Sequence, residues 1–208
     1  MRFEKQVDKS IYEFHRYMSK ERWSSLWHQL DEVQRLDPEK VLEIGPGPGL
    51  FKHMATALGI AVETLDFDPE LKPDHVASAT DMPFEDATYD VVCAFQMLEH
   101  LPYEHSLKAF SEMVRVSKRH VVISLPDARG VWRYQIHVPK FGTHPFLVPR
   151  PQLRSPEHTF DGHHYWEINK RGYPLSRIVG DLTAHAVLEK TYRVHEMPYH
   201  RFFIFTKP

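Results

Sequence analysis

The chain has 208 residues, a net charge of −2 and 42% hydrophobic residues, which suits one globular domain. It has no run of about 18 apolar residues to cross a membrane, and its charged N-terminus lacks the apolar centre of a signal peptide. The single Cys93 lies in the apolar run DVVCAF. That excludes an internal disulfide and reads as a buried structural thiol, so a cytoplasmic protein without membrane attachment is expected. The charge is uneven: 14 Lys/Arg stand against 21 Asp/Glu before residue 126, and 12 against 7 after it. The second part is suited to meeting an anionic partner.

In chain order, residues 8–36 read as two helices. Ile11, Phe14, Tyr17 and Met18 recur at helical spacing, followed by Trp23, Leu26, Trp27, Leu30 and Val33. Asp37-Pro38 ends the second, because proline disfavours helical geometry in the residue before it. Val41–Gly45 reads as a buried strand. Leu50–Leu58 reads as a helix with Leu50, Met54 and Leu58 on one face, stopped by Gly59. Strands follow at Ala61–Asp66, His75–Ala77 and Asp90–Phe95. A helix at Tyr103–Lys118, with Leu107, Phe110 and Val114 inward, precedes a fifth strand at Arg119–Leu125. This rhythm predicts an α/β fold with a parallel sheet covered on both faces. Pro126–Trp166 breaks the rhythm and shows no clear period. A segment of that length is usually functional or mobile. Pro174–Leu182 reads as a helix. Ala186–His195 and Tyr199–Thr206 read as antiparallel strands joined at Glu196–Pro198.

The stretch VLEIGPGPGL, residues 41–50, places glycines between a strand and a helix, where backbone can approach a ligand. A dinucleotide fingerprint needs glycine at position 50, which is Leu50, and a P-loop needs Gly-Lys-Ser/Thr, so neither is present. The pattern Glu43-x-Gly45-x-Gly47-x-Gly49 resembles the first motif of class I S-adenosylmethionine (SAM) methyltransferases. The resemblance continues through VETLDFDP, ATDMPFEDATYDVV and AFQMLEHLP over roughly residues 38–126. The longer pattern KERWSSLWHQ, HHYWEINKRGY and PYHRFFIF resembles small bacterial and archaeal methyltransferase-domain proteins.

The resemblance implies a Rossmann-like, mostly parallel seven-stranded sheet with the last strand antiparallel. It implies SAM as cofactor and S-adenosylhomocysteine (SAH) as product. Residues 1–37 would form a helical cap, 38–125 the SAM-binding core, 126–168 a lid-like insertion, and 169–208 a C-terminal helix and strand pair. Glu43, Gly45, Gly47 and Gly49 would form the cofactor loop. Asp66 would hold the ribose hydroxyls, and Phe67 and Met82 would flank adenine. Ser78 stands where the family often has an acid for the adenine amine, so Thr80 backbone would share that task. Phe95 and Gln96 would line the methionine end, and Arg22 would reach its carboxylate.

Several acceptors are disfavoured. The Asn/Asp-Pro-Pro-aromatic signature of amino-methylation is replaced by Phe95-Gln96-Met97-Leu98, and Cys93 lies inside a strand rather than on a loop. No acidic metal cluster is visible near the fourth strand. The spacing of His158, His163 and His164 matches no zinc signature, so no metal is expected. The insertion supplies aromatics, arginines and histidines. His163 and His164, with His100, are the candidate general bases. The expectation is methyl transfer to a small-molecule or glycan hydroxyl, with an anionic acceptor suited to the basic half. The alternatives are an RNA methyltransferase, less favoured because overall charge is negative, and a non-catalytic SAM-binding regulatory protein.

Overall fold

The computed structural model describes residues 13–160 and 162–208. Its elements are α1 (Phe14–Tyr17), α2 (Lys20–Gln34), β1 (Lys40–Ile44), α3 (Leu50–Ala57), β2 (Ala61–Asp66), β3 (His75–Val76), β4 (Tyr89–Phe95), α4 (Tyr103–Val116), β5 (Ser117–Pro126), β6 (Val131–Val138), β7 (Gly142–Pro149), α5 (Leu175–Thr183), β8 (Val187–Arg193) and β9 (His200–Thr206). Seven strands form one sheet in the order β3-β2-β1-β4-β5-β9-β8. The pairs from β3 to β5 are parallel, and β9 runs antiparallel to both of its neighbours. The expected seven-stranded sheet with an antiparallel last strand is therefore present, and β9 sits inside the sheet rather than at its edge.

Strand β9 shows why both faces must be covered. Phe203 and Phe205 enter the core cluster beneath α4 and α5, while Phe202 and Ile204 enter the cluster beneath α2 and α3. Successive side chains of a strand point to opposite faces, so a run of buried apolar residues requires helices on both. Cys93 is buried as expected. The α3 face differs from the sequence reading: Phe51 and Ala55 are the buried residues, whereas Leu58 is 64% exposed. The helix ends at Ala57, with Leu58 as its C-cap and Gly59 following at φ +91°, so the last periodic leucine belongs to the cap. Helix α4 ends at Val116, and β5 begins two residues earlier than expected.

The larger correction lies in the insertion. Val131–Val138 and Gly142–Pro149 form a two-stranded antiparallel hairpin. The signal was present as alternation: Trp132, Tyr134, Ile136 and Val138 alternate with Arg133, Gln135 and His137. Polar residues at every second position hid it from a search for helical or core-strand runs. The part of the N-terminal reading that includes Ile11 lies outside the described residues. Within them, α1 has only four residues and α2 is capped by Ser19, whose hydroxyl accepts from the Arg22 amide at 3.2 Å.

Buried polar groups join the layers. The Ser25 hydroxyl of α2 meets Nδ1 of His200, at the start of β9, at 2.7 Å. Asp127, directly after β5, accepts from Arg201 Nε at 2.8 Å and Asn169 Nδ2 at 2.8 Å. This fixes the insertion's entry and return beside the sheet. Burial pushes the His200 imidazole down to about 3. An unfolded histidine titrates near 6.5, so the unfolded chain takes up a proton first as pH falls. The stability contributed by neutral His200 is full above about pH 6.5 and is lost as pH falls towards 3. Urea unfolding at pH 7 and pH 5 should show the protein losing about 2 kcal/mol more than His200→Asn over that interval. Equal losses would contradict a buried neutral imidazole.

Candidate functional site

The carboxyl ends of β1, β2 and β4 converge at the point where open α/β sheets place ligands. The turn after β1 is built from Gly45, Gly47 and Gly49, with φ of +68°, +53° and +74°. All three lie in the left-handed region, where a Cβ is penalised. Gly45 is constrained a second time, because a Cβ there would stand 2.4 Å from Met97 Cγ. The loop therefore exposes backbone towards the site and locks against the segment leaving β4.

Glu43, the fourth residue of β1, is buried, and burial pushes its carboxyl up to about 8. The Lys52 amide in the first turn of α3 is its hydrogen-bonding neighbour, which ties β1 to α3. Asp66 closes β2, and its Oδ1 accepts from the Asp68 amide at 2.8 Å. Burial raises its carboxyl above the ordinary range. Phe67 beside it is 44% exposed, while Met82 is buried among core residues. Ser78 Oγ lies 2.9 Å from Thr80 Oγ1 and accepts from the Thr80 amide at 3.2 Å. This local turn orders the segment where the adenine amine is expected. Arg115 holds the next turn, donating to the carbonyls of Phe84 at 2.8 Å and Met82 at 3.1 Å.

At the end of β4, Phe95 packs on Phe51, and Gln96 adopts φ +52°. Such a conformation in a non-glycine residue costs of order 1–3 kcal/mol and tends to occur at functional sites. It is held by the Gln96 amide on the Ser124 carbonyl at 2.9 Å and by Gln96 Nε2 on Ser124 Oγ at 3.2 Å. Arg22 lies over the Tyr17 ring at 4.3 Å. Its charge is felt by Tyr17, Glu99 and His200.

The insertion returns to the same place. The Tyr165 amide donates to the Glu99 carbonyl at 2.8 Å, His100 Nδ1 meets the His163 carbonyl at 2.9 Å, and Trp166 Nε1 donates to Ser106 Oγ at 3.0 Å. The rings of His100 and His164 stand edge to face with centroids 5.0 Å apart. His164 Nδ1 lies 3.1 Å from Glu167 Oε1 and 3.4 Å from the Tyr199 hydroxyl. The structure thus brings His100, His163 and His164 together, with His163 contributing its carbonyl to orient His100. Sequence reasoning missed Glu99, which sits beside them fully buried. Burial pushes its carboxyl up to about 7. Its own amide offsets part of that effect, although neither carboxylate oxygen has a partner of hydrogen-bonding geometry among the described residues. The signal was its place next to His100 in LEH, where periodicity alone cannot tell a buried acid from an exposed one.

A cleft of about 740 Å³ opens between α2, β7 and the turn after β8, lined by residues that include Trp23, Trp27, Phe146, Arg193 and His195. Trp23 and Trp27, read from spacing as part of the helix's apolar stripe, are 50% and 57% exposed.

A family model described as a methyltransferase domain matches residues 14–164. The chain belongs to that family. Curated relatives include proteins from Mycobacterium sp. strains KMS and JLS named only as uncharacterized methyltransferases, each 29% identical over 116 residues. Those matches cover 50% of this chain and 42% of the relatives. Among solved structures, a Pyrococcus horikoshii OT3 protein is similar with a TM-score of 0.64 at 14% identity, covering 96% of this chain and 94% of its own. The Burkholderia thailandensis 1,6-didemethyltoxoflavin-N1-methyltransferase, solved with that compound and SAH, gives 0.62 at 14% identity, covering 95% and 84%. These likenesses show the shared fold. No described helix is long and apolar enough to cross a membrane.

The glycine loop yields a direct test. Gly49→Ala meets nothing within 4 Å and should cost only the left-handed backbone penalty, about 1–2 kcal/mol. Gly45→Ala adds the collision with Met97 and should cost clearly more by urea unfolding. Met97→Ala in the same chain should recover part of the difference. Equal costs for the two glycine variants would rule out the Met97 clamp.

Proposed function

We propose that the protein transfers the methyl group of SAM to a hydroxyl of a small-molecule acceptor, glycan hydroxyls included. The observation that carries this reading is the convergence of three left-handed glycines, Asp66 and the Glu99–His100–His164 cluster at one end of the sheet. In this reading Asp66 accepts hydrogen bonds from the ribose hydroxyls, and Phe67 and Met82 flank adenine. Ser78 and Thr80 face its amine, and Arg22 meets the methionine carboxylate. Glu43 acts from beneath the loop as a positioning residue.

The methyl of SAM is already electrophilic, so the chain must align the acceptor and manage its proton. The acceptor oxygen forms a bond to the methyl carbon as the carbon–sulfur bond breaks. The bond's electron pair stays on sulfur, leaving neutral SAH. A neutral amine is nucleophilic without losing a proton, whereas a hydroxyl is activated by losing one. His100 and His164, held by a carbonyl and a carboxylate, are equipped for that task, which favours oxygen. The aromatic cleft suits the body of a planar acceptor. RNA is less well supported, because part of the basic excess is committed within the fold. Arg133 donates to the Glu196 carbonyl, Arg150 to the Val131 carbonyl, and Arg193 and Arg201 lie against Asp127.

The test supplies labelled SAM and cell extract, with the products split into RNA, protein, lipid and small-molecule or glycan fractions. Enzyme-dependent label is expected in the small-molecule or glycan fraction. Asp66→Ala should weaken SAM affinity about 10–100-fold, from the loss of hydrogen bonds to a charged group. Label confined to RNA, or unchanged SAM binding by the variant, would overturn the corresponding part of the reading.

A further inference from the structure

We infer that Glu99, His100 and His164 form a binding site for one divalent first-row metal ion. One potential ligand atom from each lies within 4.8 Å of the other two. Ligand atoms about 2 Å from a shared tetrahedral zinc are about 3.3 Å apart. Small rotamer adjustments would therefore close the set on an ion. A carboxylate with two imidazoles and open positions is a combination that suits zinc-class and other first-row divalent cations.

Two further observations separate this cluster from an ordinary polar cluster. Glu99 is fully buried beside the two rings, and neither of its carboxylate oxygens has a hydrogen-bond partner among the described residues. A buried carboxylate in that state is costly unless something compensates it. Both imidazoles are also oriented from behind, as metal-bound histidines usually are. His100 Nδ1 is set on the His163 carbonyl, and His164 Nδ1 on Glu167. His158, one of the histidines weighed in the sequence, lies outside the ligand set; its Nε2 meets the His164 carbonyl at 2.8 Å.

The ion's place follows from the chain. Glu99 lies two residues beyond Met97, which is locked against Gly45 of the glycine loop. The site therefore stands where the methyl end of the cofactor is proposed, and its role rests on that proposal. An acceptor hydroxyl bound to the ion would be acidified and lose its proton to water, as metal-bound water does. Its oxygen would then attack the methyl while sulfur leaves with the electron pair. In the loaded protein the imidazoles serve as ligands, and the cation takes over the acidification otherwise assigned to them.

The experiment uses the tag-free full chain, stripped with a chelator and titrated with Co²⁺. The expected result is one ion per chain, with a visible d–d absorption that Zn²⁺ abolishes by displacement. Glu99→Gln and His164→Asn should abolish that absorption while circular dichroism and urea unfolding show the variants folded, and SAH binding is measured by calorimetry on the unaltered chain. Glu167→Gln should weaken Co²⁺ binding about 10–100-fold, and His158→Ala should leave it unchanged. Absence of saturable Co²⁺ and Zn²⁺ binding by the unaltered chain would overturn the inference, as would binding that survives both ligand substitutions. Absence of SAH binding with Co²⁺ binding intact would instead count against the cofactor reading, so the two failures are distinguishable.

Discussion

The contact between Gly45 and Met97 is the constraint around which the site is organised. A side chain at Gly45 would stand 2.4 Å from Met97 Cγ, so the glycine loop after β1 and the segment after β4 are built as one surface. Gln96, at φ +52° and tied twice to Ser124, directs the chain into that contact. Everything further along inherits the geometry: Glu99 and His100 follow within one short turn, and the returning insertion docks on them through the Tyr165 amide and the His163 carbonyl. The strained backbone is local, and the two buried core clusters on the sheet's faces hold it.

The insertion is attached at both ends and extends between them. Asp127 fixes the end near β5 through Arg201 and Asn169, while Trp166 and Ile168 enter the core on the return. Between these anchors the hairpin stands beside α2 and leaves Trp132, Tyr134, Ile136 and Phe146 substantially exposed. Arg133 reaches the Glu196 carbonyl and His195 reaches the Tyr134 carbonyl, which couples the hairpin to the turn before β9. An acceptor entering the adjoining cleft would meet a wall held by polar contacts rather than by a large apolar interface. That arrangement is suited to adjustment on binding.

Much of the fold was legible because its signals are short-range. Apolar runs such as VVCAF and FFIF mark buried strands, Gly59 marks a helix end, and the βαβ rhythm fixes the sheet class. The glycine loop was legible because three residues that tolerate positive φ occur at alternate positions. The hairpin was missed because strand alternation was set among arginine, histidine and proline, where polarity argued for a loop. Leu58 was misassigned because helical spacing cannot show that the helix has just ended. Glu99 was missed for a different reason. Its significance comes from burial beside His164, 65 positions further along the chain, and that proximity exists only once the insertion folds back.

The central claim is that the joined loops after β1, β2 and β4 form the seat of a SAM-type cofactor. A crystal structure of the protein with SAH tests it most directly. The account predicts both ribose hydroxyls on Asp66, adenine between Phe67 and Met82, and the thioether sulfur directed towards His100 and His164. SAH bound elsewhere, or bound there with its adenine and ribose away from Phe67 and Asp66, would contradict it.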